Sequence, residues 1–254
     1  METLNVNGID IAYDRQGQGK PLVLIHGYPL DHTIWVDIVP PLSGTFDLIL
    51  PDLRGFGASA SSDRPATMAD FAADIAGLLD GLRIPQAALV GHSMGGYVAL
   101  AFARAYPMRM SGLGLVSSQV LADSPEGKEG RYKAAANVAE KGVGVVAEAM
   151  TPKLSTHARI QAIVHSLIEK QTPAGVIAAL KAMAERADST DLLPAMQYPI
   201  VLVHGEADAL IPIDRARAVE AALLQSRMFA LKNVGHLPMM ESPQETADAL
   251  KYLA

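Results

Sequence analysis

The chain has 254 residues, half of them apolar, and carries 21 Lys and Arg against 27 Asp and Glu for a formal net charge of −6. That length fits one large α/β domain, or one domain with a modest insertion, and a mild acidic balance without a Lys/Arg cluster gives no nucleic-acid footprint. The absence of cysteine removes disulfides, thiolate nucleophiles and cysteine-based metal sites together; with no basic-then-apolar start and no apolar run near the ~20 residues of a membrane helix, the expectation is a soluble cytoplasmic protein without a membrane partner.

Thr3 to Val6 and Ile9 to Tyr13 read as short strands joined at Asn7-Gly8, a pair suited to a tight hairpin turn. Pro21 to Ile25 and Phe46 to Leu50 are continuous apolar runs, the pattern of strands buried on both faces. Thr67 to Leu82 is helical, with Thr67 as N-cap and Asp70 placed to close a capping box. Ala87 to Val90 is a short strand that runs into Gly91-His92-Ser93-Met94-Gly95-Gly96, and Tyr97 to Tyr106 continues as a helix ended by Pro107.

Leu113 to Val116 and Pro199 to Val203 are further strands, and between them the stretch from Gln119 to Ser189 has no convincing strand. It reads as helices, one opening at Thr172-Pro173 and carrying Val176, Ile177, Leu180 and Met183. Arg215 to Leu224 is helical, Met228 to Leu231 is a strand, and Ser242-Pro243-Gln244-Glu245 opens the last helix with the residues of a capping box. Strands alternating with helices predict a mostly parallel central sheet flanked by helices. Residues 1–118 and 190–254 form the core on this reading, and 119–189 is a helical cap insertion over the carboxyl ends of the strands, where open α/β sheets bind ligands.

Gly91-His92-Ser93-Met94-Gly95 has the form G-x-S-x-G between a strand and a helix. A nucleophile on so sharp a turn holds its Oγ clear of the backbone, and the two glycines relieve the crowding of strand against helix. The hydroxyl then needs a base. Among seven histidines, His236 follows Gly235 in a loop between the last strand and the last helix, within reach of the strand ends. His26 and His204 also lie at strand ends and read as structural; His92 points away from the nucleophile; His157 and His165 fall in the insertion as solvated or satisfied groups.

The base needs a carboxylate to hold its tautomer and stabilise its charged form. Asp208 is the best placed, just past the strand ending at Val203, with Glu206 and Asp214 as competitors. The oxyanion needs two N–H donors: Met94 at the helix start, and Tyr28 in the loop after His26-Gly27, where Pro29 cannot donate. An apolar substrate pocket is expected from Met150, Leu154, Ile177 and Met183 of the cap, with Trp35, Leu30 and Val120.

Together these pieces resemble the α/β-hydrolase superfamily. His26-Gly27-Tyr28-Pro29 looks like its oxyanion loop, and Asp52 to Ser59 like its glycine-rich loop after the next strand. Gly91 to Gly96, Gly205 to Asp208 and Gly235-His236 complete the set, and the chain is similar to small bacterial carboxylesterases and enol-lactone hydrolases. The resemblance implies ester hydrolysis of a small-molecule substrate without cofactor or metal. Lactone hydrolysis, C–C bond hydrolysis and peracid formation use the same triad and stay open, as does a slow-turnover ligand sensor. Haloalkane dehalogenases and epoxide hydrolases carry Asp where this chain has Ser93, which disfavours both. A nucleotide-binding reading of Gly142 to Ala147 (G-x-G-x-x-A) fails because helix, not strand, precedes it.

Overall fold

A computed structural model describes residues 1–61, 64–223 and 225–254. Its strands are β1 Glu2–Val6, β2 Ile9–Gly17, β3 Lys20–Ile25, β4 Phe46–Pro51, β5 Ala87–His92, β6 Met110–Val116, β7 Ile200–Gly205 and β8 Ser226–Leu231. They form an eight-stranded sheet in the order β1-β2-β4-β3-β5-β6-β7-β8. The β1–β2 and β2–β4 pairs are antiparallel and the rest parallel, so the expected α/β class with a mostly parallel sheet is what the chain adopts. Leu22, Val23, Leu24 and Ile25 of β3 are all fully buried, as a strand covered on both faces requires. The hairpin at Asn7-Gly8 places both residues at positive φ, 54° and 81°, the conformation that a two-residue turn with the sheet's own twist demands.

The helices are α1 Val39–Leu42, α2 Met68–Gly81, α3 Met94–Ala105, α4 Pro125–Lys141, α5 Gly144–Leu154, α6 Ala158–Glu169, α7 Pro173–Ala184, α8 Asp214–Ala222, α9 Pro238–Glu241 and α10 Pro243–Leu250. The start of α2 is the capping box read from the sequence: the Thr67 N–H donates to Asp70 Oδ2 at 2.8 Å and the Asp70 N–H to Thr67 Oγ1 at 3.2 Å. The box expected at α10 does not form. Ser242 Oγ bonds the Glu245 carboxylate, side chain to side chain, and makes no side-chain cap bond to the backbone. The helix expected from Arg215 to Leu224 begins at Asp214 and ends at Ala222; Leu224 lies outside the described residues.

Sheet order decides where a site can lie. After β3 the chain steps to β4 on one side, then passes back over β3 to β5 and continues to β6 on the other. The carboxyl ends of β3 and β5 are therefore a topological switch point, where the connections diverge and leave a crevice. Ile25 of β3 pairs with Gly91 of β5, so the loop after His26 and the turn at Ser93 flank that crevice. Helices α4 to α7 follow β6 and precede β7, and residues of α4, α5 and α7 line a cavity with Ser93. No helix among the described residues is long and apolar enough to cross a membrane.

Candidate active site

Ser93 sits between β5 and α3 at φ 50°, ψ −114°, a backbone conformation that L-residues rarely adopt and that holds a side chain clear of its neighbours. The flanking glycines have the crowding that the motif implies. A Cβ on Gly91 would lie 2.2 Å from the Gly95 backbone, and one on Gly95 would lie 2.2 Å from the carbonyl oxygen of Ile25. The turn is tied down on both sides: the Ser93 N–H donates to the Val116 carbonyl at 2.9 Å, and Ser118 Oγ donates to the Ser93 carbonyl at 2.8 Å.

At the end of β7, Asp208 is fully buried at its side chain. Its Oδ1 accepts the Leu210 and Ile211 amides at 2.8 and 3.0 Å. Its Oδ2 accepts from His236 Nδ1 at 2.7 Å and lies 3.3 Å from His204 Nε2. Burial opposes ionisation here, but the bonds from His204, His236 and the Ile211 amide outweigh it and hold the carboxyl far below the usual carboxylate range. An ionised carboxylate only accepts, so the proton in this bond is carried by His236 Nδ1. Of the three candidate acids, Asp208 is the one that meets His236: Glu206 is exposed, and Asp214 is exposed beside Arg217 at 3.1 Å.

The loop that carries His236 is held from three sides. Its N–H donates to the Leu154 carbonyl at 3.2 Å. His92 Nε2 donates to its carbonyl at 2.8 Å. Glu241, with a side chain 1 % exposed, accepts the Gly235 amide at 2.8 Å and the Leu237 amide at 3.4 Å. His92 does not reach toward substrate; its ring packs on that of His236 with centroids 4.9 Å apart. His26 is tied to backbone on both ring nitrogens, Nδ1 to the Gly27 carbonyl at 3.0 Å and Nε2 to the Leu53 amide at 2.9 Å. His204 Nε2 donates to the Ile211 carbonyl at 2.7 Å. Each is a loop clamp, as the sequence suggested for a histidine before glycine. His157 and His165 have their own acidic neighbours, Glu241 for the first and Glu148 and Glu169 for the second.

Above Ser93 lies a cavity of about 480 Å³. Tyr28, Met150 and Met183 line it with Ser93. Five residues expected there do not. Trp35 and Leu30 are fully buried, Trp35 edge-on to His92 with ring centroids 6.4 Å apart. Leu154 is fully buried, and its carbonyl accepts the His236 amide. Ile177 packs on the core, and Val120 borders two other depressions. Apolar patterning reports burial, while the direction of a side chain depends on how neighbouring helices dock, which spacing does not carry. The polar lining residues Gln119, Asp123, Arg131 and Asn137 were not anticipated: Gln119 and Asp123 lie in the segment before α4, and Arg131 and Asn137 look like a solvated face on an otherwise polar α4.

Asp52 comes back to the adjacent Asp31 and His32, and one side-chain polar atom of each of the three lies within 4.8 Å of the others. Hydrogen bonding accounts for this cluster: Asp52 Oδ1 accepts the His32 amide and Nδ1 at 2.9 and 2.7 Å, Oδ2 accepts the Ala58 amide at 2.8 Å, and Asp31 caps Thr33. The Gly142 to Ala147 stretch is a helix-to-helix turn, with Gly142 ending α4 and Gly144 opening α5, so no strand precedes it.

The strand-to-helix elbow, the acid after β7 and the histidine after β8 define a class of fold, and sequence comparison agrees. Residues 20–243 match the family model described as alpha/beta hydrolase fold, and the chain belongs to that family. A thermophilic esterase from Thermogutta terrifontis, solved with malate bound, is 39 % identical and superposes with a TM-score of 0.94 over 98 % of this chain and 96 % of its own. A pimeloyl-[acyl-carrier protein] methyl ester esterase of Aeromonas hydrophila is 28 % identical over 96 % of this chain and 99 % of its own length. The dihydrolipoyllysine-residue acetyltransferase component of a Pseudomonas putida acetoin cleaving system is 31 % identical over 89 % of this chain, which spans only 61 % of that relative. Among these relatives the chain is an enzyme of the carboxylesterase-type hydrolase class.

Proposed function

We propose that the chain hydrolyses carboxylic esters of small, largely apolar molecules through an acyl-enzyme on Ser93. The observation that carries the reading is the short Asp208–His236 bond, 2.7 Å on the Nδ1 side, in a loop fastened to the residue preceding Ser93. That arrangement leaves Nε2 as the basic nitrogen. Ser93 Oγ attacks the ester carbon as His236 takes its proton. The N–H groups of Met94, in the first turn of α3 where amides lack helical partners, and of Tyr28 hold the oxyanion. The C–O bond breaks, and the alcohol leaves with the proton from His236. Water, deprotonated by the same nitrogen, then releases the acid and restores Ser93. The chemistry asks for no cofactor. Residues 1–118 and 190–254 serve as the hydrolase core and 119–189 as the cap over the acyl site.

The esterase names of the relatives favour this substrate class, and the mixture of methionine, valine and alanine in the cavity wall suits short acyl chains. Steady-state hydrolysis of p-nitrophenyl butyrate, with the adducted peptide identified by mass spectrometry after phosphonate treatment, tests the proposal. Many turnovers per molecule and an adduct on Ser93 are expected. A single turnover would identify a sensor, and an adduct elsewhere would remove Ser93 from the mechanism.

A further inference from the structure

The wall of the cavity that α4 and the segment before it supply carries an unbalanced charge. Asp123, with a side chain 11 % exposed, is shared by two guanidinium groups: Arg131 Nε on one side, and Arg186 NH2 at 2.7 Å on the other. Two cations around one carboxylate leave one positive charge in excess. Arg186 is fully committed. It donates to the carbonyls of Leu121 at 2.9 and 3.2 Å and of Met183 at 3.0 Å, and its guanidinium lies 4.2 Å from the Tyr97 ring centroid. Arg131 is different. It lines the same cavity as Ser93 and Tyr28, its side chain is 25 % exposed, and its two terminal nitrogens have no hydrogen-bond partner among the described residues. Asp123 and Arg131 are the charged residues of the cavity lining among the described residues; the nearby Lys128 and Glu185 pair with each other at the exposed surface at 3.3 Å. The Arg131 charge also reaches the Tyr28 phenol, whose ionisation burial suppresses and Arg131 partly restores.

We infer that Arg131 is a specificity residue that receives a second, ionised carboxylate of the substrate, so that the preferred esters carry one anionic group away from the scissile bond. A guanidinium fork with two free N–H edges matches a carboxylate in a bidentate way, and enclosure in a cavity strengthens the pairing relative to water. Asp123 fixes the fork through Nε and leaves its outer edge for ligand. The inference rests on the ester-hydrolase reading above and adds the charge of the substrate to it.

The test compares three p-nitrophenyl or phenyl esters: neutral p-nitrophenyl butyrate, mono-p-nitrophenyl glutarate with the carboxylate on the acyl side, and 4-butyryloxybenzoate with it on the alcohol side. Arg131→Gln is expected to lower kcat/KM for one of the anionic esters, relative to the neutral ester, by about tenfold or more, chiefly through KM. The ester affected identifies the side on which the carboxylate lies. Lys133→Gln removes the same charge from an exposed position of α4 and is expected to leave that ratio within about twofold. Free glutarate should compete with the neutral ester in the unmodified enzyme, a readout that does not depend on a variant folding. Unchanged ratios for both anionic esters, or no competition by glutarate, overturn the inference while leaving ester hydrolysis standing. Failure of the unmodified enzyme to turn over the neutral ester and both anionic esters removes the hydrolase reading and this inference with it.

Discussion

The imidazole of His92 lies against that of His236, and its Nε2–H donates to the His236 carbonyl at 2.8 Å. The residue preceding Ser93 thus fastens the loop that carries the proposed base. His92→Leu keeps the bulk and removes the donor, so kcat/KM for a neutral ester should fall roughly tenfold, as expected for losing one buried hydrogen bond that positions a reacting group. His92→Gln restores a donor and should recover part of that loss; equal losses in both variants would contradict a positioning role.

The burial of His92 makes stability depend on pH. Burial, then the neighbouring His236, pushes His92 well below the ordinary histidine range, and burial lowers His26 as well. A depressed folded-state pKa means that the unfolded chain takes up the proton first. The stabilisation is complete above about pH 6.5 and drains away as pH falls toward the folded value, at up to about 1.4 kcal/mol per pH unit per group. His32 works in the opposite sense: burial opposes its charge, but Asp52 outweighs burial and raises it. Denaturant unfolding of the native protein and His92→Gln between about pH 7 and 5 isolates the His92 contribution, and the variant should show the flatter decline.

Asp208 holds the base by Oδ2 and two backbone amides by Oδ1. Asp208→Asn should cut kcat by on the order of 10²-fold or more, with a smaller change in KM, because the amide no longer enforces Nδ1–H on His236. The loss should be smaller than that in Ser93→Ala. Steady-state kinetics on one neutral ester decides it, and a change confined to KM would point to a role in binding instead.

Glu241 clasps the Gly235 and Leu237 amides from a buried position. Glu241→Ala leaves two amides unpaired and should destabilise the protein by about 2–3 kcal/mol, read as a lower denaturant midpoint, with activity falling in parallel as the loop loosens. Gly95→Ala should not fold to an active protein at all, since its Cβ would meet backbone of β3 at 2.2 Å and backbone cannot step aside cheaply. A soluble, active Gly95→Ala protein would mean that the elbow is looser than described.

How far the sequence carried these conclusions depended on whether a feature is local. Thr67 and Asp70, three residues apart, form the capping box that their types imply, and the Asn7-Gly8 turn adopts the positive φ values its residues favour. The G-x-S-x-G crowding is likewise a property of five adjacent residues. Asp208 was separable from Glu206 and Asp214 only by its place past the strand end; in the fold the Leu210 and Ile211 amides bond its Oδ1 and His236 Nδ1 its Oδ2. What stayed hidden depends on contacts distant in sequence. Glu241 is an exception by distance, only six and four residues from the amides it accepts, but its carboxylate turns inward only because the short α9 folds back over the His236 loop. Arg131 became a cavity residue through Asp123 and Arg186, the latter 55 residues downstream. Trp35, Leu30, Val120, Leu154 and Ile177 were recognisable as buried, but not as buried away from the cavity.

The most direct test of the central claim is the rate of p-nitrophenyl butyrate hydrolysis by Ser93→Ala beside the unmodified enzyme, with circular dichroism to establish that both are folded. The account predicts a loss on the order of 10³-fold or more with an unchanged spectrum. A folded Ser93→Ala protein that hydrolyses the ester at the full rate would contradict it.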